Sequence, residues 1–255
     1  EVGHTQIFIK SLVAKIALFS SAGVFAAVFL LTNFFLAIRS KIPWTAILPA
    51  ALTGQPVNVD NHIVKKSAVV LSAVIALFFG LTAAANWQEV LKFISGVAFG
   101  ATDPIFCKDI GFYLFSLPVF QIGLGLIKLL VLLSLAGCAF IYFLRGSLYF
   151  PGLPGQTESA ARPVKGVGML QALTASNEAR IHLGALLALF FTTIAAGIYL
   201  SRFTLLTSQS GLVFGATYTD ATVRIFMLWI SMVAVLLAAV SAVFWVGKGK
   251  LSPLI

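Results

Sequence analysis

The sequence predicts an all-α fold, a polytopic transmembrane helix bundle with about five spanning helices and short interfacial helices in its loops. Three observations predict it. Five apolar runs, Leu12–Ile38, Ser67–Ala85, Leu117–Leu144, Ile181–Ser201 and Ile225–Val246, punctuate the chain. Each reaches or nearly reaches the roughly 20 residues that a helix needs to cross a hydrocarbon core of about 30 Å. The runs lack the alternation of barrel strands, and only helices and closed barrels satisfy their backbone in lipid. Finally, 60% of the residues are hydrophobic and 10% charged, too few charges for a soluble domain of this size.

The net charge of +9 is positional. Arg39, Lys41, Lys65 and Lys66, then Arg145, Arg162, Lys165 and Arg180, then Lys248 and Lys250 fall in alternate loops. The other side holds Lys10, Lys92, Lys108, Arg202 and Arg224. This asymmetry follows the positive-inside rule and not a nucleic-acid patch. It places residue 1 outside and the 39–66 and 145–180 loops in the cytoplasm.

The elements follow in order. The first run is long, and Lys15 near its outer end is expected to snorkel towards headgroups. Pro43, Pro49, Gly54 and Pro56 bar a continuous helix from the next loop, where Ala46–Leu52 is expected as a short interfacial helix anchored by Trp44. After the second run, Trp87–Ile94 sets Val90, Leu91 and Ile94 against Glu89 and Lys92 at helical spacing, which predicts an amphipathic surface helix. The stretch to Phe115 is turn-rich and then aromatic. Pro151, Gly152, Pro154, Gly155 and Pro163 make the Arg145–Arg180 loop irregular, and Ser176-Asn177-Glu178 is a start signal for the fourth spanning helix. The loop Arg202–Arg224 holds Gly211, Gly215 and Tyr218-Thr219-Asp220. No repeat relates the halves. Cys107 and Cys138, in an outer loop and a membrane run, are expected to stay unpaired.

Candidate functional residues cluster in the two outer loops. Asp103 and Asp109 flank Pro104, Cys107 and Lys108, and Phe112 and Tyr113 follow. Two readings are open: the aspartates are ligands for a cation or substrate, or they cap turns and helix starts beside an interfacial aromatic belt. The second loop offers Arg202, Tyr218, Asp220 and Arg224, so an ion pair from Asp103 or Asp109 to Arg202 or Arg224 would lock the loops together. Lys128 is the candidate intramembrane charge, for snorkelling or packing or for a conduction path. His62 and His182 lie near helix ends on the inner side. Interfacial hydrogen bonding is the expected role, since haem ligation needs two opposed imidazoles and a slot between them. No catalytic motif, metal site or cofactor signature occurs, and all eight acidic residues are expected in loops, which argues against a proton-driven carrier of the common kind. The expectation is therefore no enzyme and no cofactor. Gly184, Ala188, Ala195, Ala196 and Gly197 suit close helix packing.

The stretch Phe99-Gly-Ala-Thr-Asp-Pro-Ile-Phe-Cys-Lys-Asp-Ile-Gly-Phe-Tyr-Leu-Phe-Ser-Leu-Pro118 closely resembles a signature of the UPF0182 family of bacterial membrane proteins. Ser201-Arg-Phe-Thr-Leu-Leu206 and Gly211-Leu-Val-Phe-Gly-Ala-Thr-Tyr-Thr-Asp220 resemble a second. The resemblance implies about seven membrane helices followed by a large exoplasmic domain. That leaves one further helix before Glu1 and another after Ile255, in a bacterial inner membrane. The functional expectation is a non-enzymatic membrane module that anchors an exoplasmic domain or serves as a subunit of an envelope assembly, with lipids and membrane proteins as partners. The alternative is a transporter or lipid-handling protein using the outer-loop acids and Lys128.

Overall fold

The computed structural model describes residues 5–39, 60–145, 148–149, 174–207, 209–210 and 213–248. Its elements are α1 (Thr5–Ile38), α2 (Asn61–Ala85), α3 (Trp87–Ile94), α4 (Leu117–Leu144), α5 (Asn177–Thr204) and α6 (Ile225–Lys248). One wide helical turn, Phe112–Ser116, leads into α4, and another, Asp220–Arg224, leads into α6. Two minimal antiparallel ladders complete the described chain: β1 (Leu148–Tyr149) with β2 (Thr174–Ala175), and β3 (Gln209–Ser210) with β4 (Val213–Phe214). They close loops and leave the class all-α.

Five helices are long and apolar enough to cross a membrane: Thr5–Ile38, Asn61–Ala85, Phe112–Leu144, Asn177–Thr204 and Asp220–Trp245. Each begins earlier than its apolar run. Hydropathy falls where polar residues enter, but the backbone remains helical through Lys10, Lys65, Lys66 and Arg180 because long charged side chains extend away from the helix axis. The interfacial helix expected over Ala46–Leu52, its anchor Trp44 and most of the Arg145–Arg180 loop lie outside the described residues. Three acidic residues belong to helices and not to loops: Glu89 in α3, Glu178 in the first turn of α5, and Asp220 in the turn before α6. All three sit near N-termini, where the helix dipole favours negative charge. The Ser176 hydroxyl caps α5 by accepting from the Ala179 N–H at 3.3 Å.

Two compact units share the five long helices. Within the first (1–27, 74–130 and 190–238), α1 and α2 approach closely at Gly80. A Cβ there would stand 2.8 Å from the Phe19 carbonyl oxygen, so only glycine fits. Ala83, Leu117, Ala195 and Phe203 are buried in this unit.

The second unit (28–73, 131–189 and 239–255) buries Leu30, Phe34, Leu130's neighbour Val131, Cys138 and Tyr142. Among the described residues a polar chain pins it. The Asn33 amide donates to the Phe29 carbonyl at 2.7 Å, which leaves its oxygen to accept from His182 Nε2 at 3.0 Å. His182 Nδ1 then accepts from the Tyr142 hydroxyl at 3.1 Å. Three helices, α1, α4 and α5, are thus joined through a single imidazole. Buried polar groups are costly unless bonded, so this chain fixes which helix faces meet.

Candidate functional site

The described part of the first unit carries the site, and its geometry grows from Asp103. The chain reverses between Ala101 and Ile110, with Thr102 and Asp109 opposed in an antiparallel bridge and Ile110 N–H donating to the Ala101 carbonyl at 3.0 Å. Asp103 N–H also donates to the Lys108 carbonyl at 2.9 Å. The tip winds around the Asp103 carboxylate. Oδ1 accepts from the Ile105 and Phe106 amides at 2.8 and 2.6 Å, and Oδ2 accepts from the Lys108 amide and the Tyr113 hydroxyl, both at 2.8 Å. Pro104 has no N–H, so the first available donor after Asp103 is Ile105. Cys107 takes a left-handed φ of 53°, which the tight tip imposes on a residue that has a Cβ.

Asp109 closes the base of the same loop. Oδ1 accepts from Phe99 N–H at 3.1 Å and Gly111 N–H at 2.7 Å, and Oδ2 from Gly100 N–H at 2.9 Å. Gly111 is obligatory here. A Cβ would meet the Val97 carbonyl oxygen at 2.8 Å and Asp109 Oδ1 at 2.9 Å. Burial opposes ionisation of Asp103, but its four donors outweigh that and hold the carboxyl below its ordinary 3.8. Asp109 is held below the same value by the Phe99 and Gly111 amides first, against a smaller burial effect, with Gly100 adding to them.

An aromatic cluster holds this loop to the end of α5. Phe203, 4% exposed, packs edge-to-face against Phe106 (5.0 Å between centroids), Phe112 (5.1 Å) and Tyr199 (5.7 Å), and Tyr113 and Leu117 are buried beside it. Arg202 is the charged member. It is 7% exposed, its Nε donates to the Tyr199 carbonyl at 3.1 Å, and its guanidinium carbon lies 4.0 Å from the Tyr199 ring centroid. Trp229 of α6 is at 4.5 Å, Phe203 at 5.3 Å and Phe106 at 5.6 Å. A planar, weakly hydrated guanidinium suits such an aromatic cage.

The expected ion pair between the two outer loops is not what holds the first loop, which packs instead on the end of α5 through aromatic contacts and Arg202. Among the described residues, neither Asp103 nor Asp109 pairs with Arg202 or Arg224. Asp103 already accepts four hydrogen bonds, about the full capacity of a carboxylate. Arg202 is satisfied by ring faces, and Arg224 pairs with Asp220 one turn away at 3.3 Å. Asp220 also completes a reciprocal cap. Its Oδ2 accepts from the Thr217 amide at 3.1 Å and the Thr217 hydroxyl at 2.8 Å, while its own amide donates to Thr217 Oγ1 at 3.3 Å. The capping reading of the outer-loop acids is the one this geometry supports, since their oxygens are occupied by protein donors.

The remaining candidates lie apart from the cluster. Tyr218 is 85% exposed, and Pro104 is exposed on the tip. Lys128 is exposed midway along Phe112–Leu144. His62 is exposed at the start of α2. His182 has both ring nitrogens engaged, which leaves no lone pair for a haem iron. Cys107 is exposed and Cys138 buried, and both are free thiols. No group of three or more His, Cys, Asp or Glu able to hold a metal occurs among the described residues. Phe106, Tyr199, Phe203, Trp229 and Thr217 are the functional neighbours that pattern-reading misses. Tyr199, Arg202 and Phe203 share one helix face at i, i+3 and i+4, and Thr217-x-x-Asp220 has capping-box spacing, so part of the signal was present.

The model of the "Uncharacterised protein family (UPF0182)" matches residues 1–255. The chain is similar to a UPF0182 protein of Trichlorobacter lovleyi, 33% identical over 98% of this chain and 26% of that protein. A UPF0182 protein of Geobacter sulfurreducens is 30% identical over 98% of this chain and 26% of its own length. One from Cupriavidus necator is 34% identical over 96% and 25%. The chain spans about a quarter of the length of these curated relatives. No solved structure matches.

Proposed function

We propose that this chain, which belongs to the UPF0182 family, is a non-enzymatic membrane module of the bacterial inner membrane that anchors and orients an exoplasmic domain. On this reading residue 1 and the loops before α4 and α6 lie outside, as the lysine and arginine asymmetry favours. Lipids and other membrane proteins are its partners. The observation that carries the reading is the Asp103–Arg202 assembly. Its carboxylates, guanidinium and aromatic rings are consumed in holding one loop to α5 and α6, which suits a platform and leaves neither Asp103 nor Asp109 free for chemistry. Exposed Ile105, Ile110 and Tyr218 supply apolar contact area on the same loops. The transporter alternative has less support, because the acids it needs are saturated.

The test uses a photo-crosslinking amino acid at position 218, and another at Phe25, which is 56% exposed on α1. The expected result is a stoichiometric adduct from position 218 to protein outside residues 1–255, mapped by peptide mass spectrometry, with only lipid adducts from position 25. Lipid adducts alone from both positions would refute the platform. Cys107 reports the sidedness: a membrane-impermeant maleimide should label it in spheroplasts without lysis, and Cys107→Ser should remove the label.

A further inference from the structure

The first unit contains a cavity of about 130 Å³ that the Asp103–Arg202 assembly does not use. Its walls include Leu18 of α1, Ala83 of α2, Val90 of α3 and Ile122 of α4, and Asn86 and Gly123 also line it. The lining is almost wholly apolar. Asn86, its polar member, already donates its amide to the Thr82 carbonyl at 2.8 Å. At Gly123 the space is open: a Cβ would meet no heavy atom within 4 Å. An apolar space of this size takes hydrocarbon in preference to water, and its volume corresponds to roughly four water volumes or a short alkyl segment.

A cation stands beside this cavity. Lys15 lies three residues before Leu18, on the same face of α1, and its side chain is exposed. Its ammonium is 5.1 Å from the ring centroid of Trp87, which lies three residues before Val90 on α3. The cavity lining on α1 and on α3 is therefore flanked, one turn away on each, by the two members of a single cation–aromatic pair. Among the described residues Lys15 has no acidic partner, whereas the nearby Lys92 is neutralised by Glu89 at 2.8 Å. Trp and Lys are the side chains that anchor helices at the headgroup level.

We propose that this groove binds one membrane phospholipid with an anionic headgroup, an acyl segment filling the cavity beside Gly123 and the phosphate meeting Lys15 at the Trp87 edge. The proposal rests on the membrane-embedded reading and adds a specific lipid site to it. Selectivity comes from the headgroup, because a hydrocarbon chain gains little by leaving other lipid tails for an apolar protein wall. Lys15 offers a compact charge that favours a headgroup of net negative charge over one whose phosphate is already balanced by choline.

The experiment is native mass spectrometry of the intact chain in detergent, titrated with phosphatidylglycerol or with phosphatidylcholine of the same acyl chains. The variants are Gly123→Leu, which fills open space, and Lys15→Gln. The wild type should retain one phosphatidylglycerol in preference to phosphatidylcholine. Lys15→Gln should weaken phosphatidylglycerol about fivefold and abolish the preference. Gly123→Leu should weaken both lipids on the order of tenfold at an unchanged melting temperature. Equal retention by the wild type and a folded Gly123→Leu, or an undiminished preference in Lys15→Gln, would overturn the proposal. So would displacement of the lipid by millimolar inorganic phosphate, which would make the site one for a free anion. Failure of the wild type to enter nanodiscs of either lipid would instead count against the membrane-module reading.

Discussion

Replacing Asp103 with asparagine keeps the size of the side chain and changes only its charge and one acceptor. In the wild type each carboxylate oxygen accepts two donors: Ile105 and Phe106 amides on Oδ1, and the Lys108 amide and Tyr113 hydroxyl on Oδ2. An asparagine can turn its oxygen to one pair only. With oxygen towards Ile105 and Phe106, its NH2 faces Tyr113, whose hydroxyl can rotate to accept, and Lys108, whose N–H cannot. One bond is lost to opposed donors, and the remaining bonds lose charge assistance. Hydrogen bonds to charged groups contribute about 1.5–3 kcal/mol and neutral ones about 0.5–1.5. The side chain is half-buried, so water replaces part of the loss, and a net cost of about 1–2 kcal/mol to loop closure follows. At a tenfold change per about 1.4 kcal/mol, hydrogen-exchange protection of the Ile105, Phe106 and Lys108 amides should fall by roughly five- to thirtyfold. Helical amides of α4 and α5 should change little, because the opening is local. Tyr113→Phe removes one donor and should give the smaller part of the same effect, with the double variant less than additive. Protection of the three tip amides within twofold of wild type, in a folded Asp103→Asn protein, would refute the account of the loop.

Gly111→Ala should destabilise the protein by about 1–3 kcal/mol in detergent melts, because the new methyl overlaps the Val97 carbonyl and Asp109 Oδ1; an unchanged melt would show that the loop base is not this tight. Arg202→Lys should cost about 1–2 kcal/mol, since a compact ammonium cannot lie flat against the Tyr199 and Trp229 rings as a guanidinium does. Chemical denaturation in detergent measures it, and equal stability would mean that charge alone matters at this position. Both Asp103 and Asp109 ionise below their ordinary 3.8, so the unfolded chain binds protons at higher pH than the folded one. Their contribution is complete above the unfolded value and is lost as pH falls through the folded one. The stability difference between wild type and Asp103→Asn should therefore be constant from pH 7 to about 5 and shrink below about 4. A difference that stays constant down to pH 3 would contradict the assignment.

Hydropathy is a local property, and so the spans are legible in the sequence alone. The core of every long helix follows from the length of its apolar run, and Trp87–Ile94 follows from the spacing of Val90, Leu91 and Ile94 against Glu89 and Lys92. Helix starts were not legible to the residue, because a backbone stays helical through lysines and arginines that hydropathy scores as ends. The capping chemistry of Asp103 and Asp109 was legible as an alternative, since short carboxylates before proline and glycine bond to nearby amides whatever surrounds them.

What only the tertiary structure decided is which distant groups meet. The choice between an Asp–Arg pair and an aromatic cage for Arg202 depends on Phe106 and Trp229 arriving from other elements, and a charge pattern carries no information about ring positions. His182 meets Asn33 across 149 positions, a contact fixed by how α1, α4 and α5 pack in one unit. Nor did local pattern announce the open space at Gly123, which exists because four helices leave it unfilled. Period and composition reach only as far as one element, whereas a site is made where several elements meet.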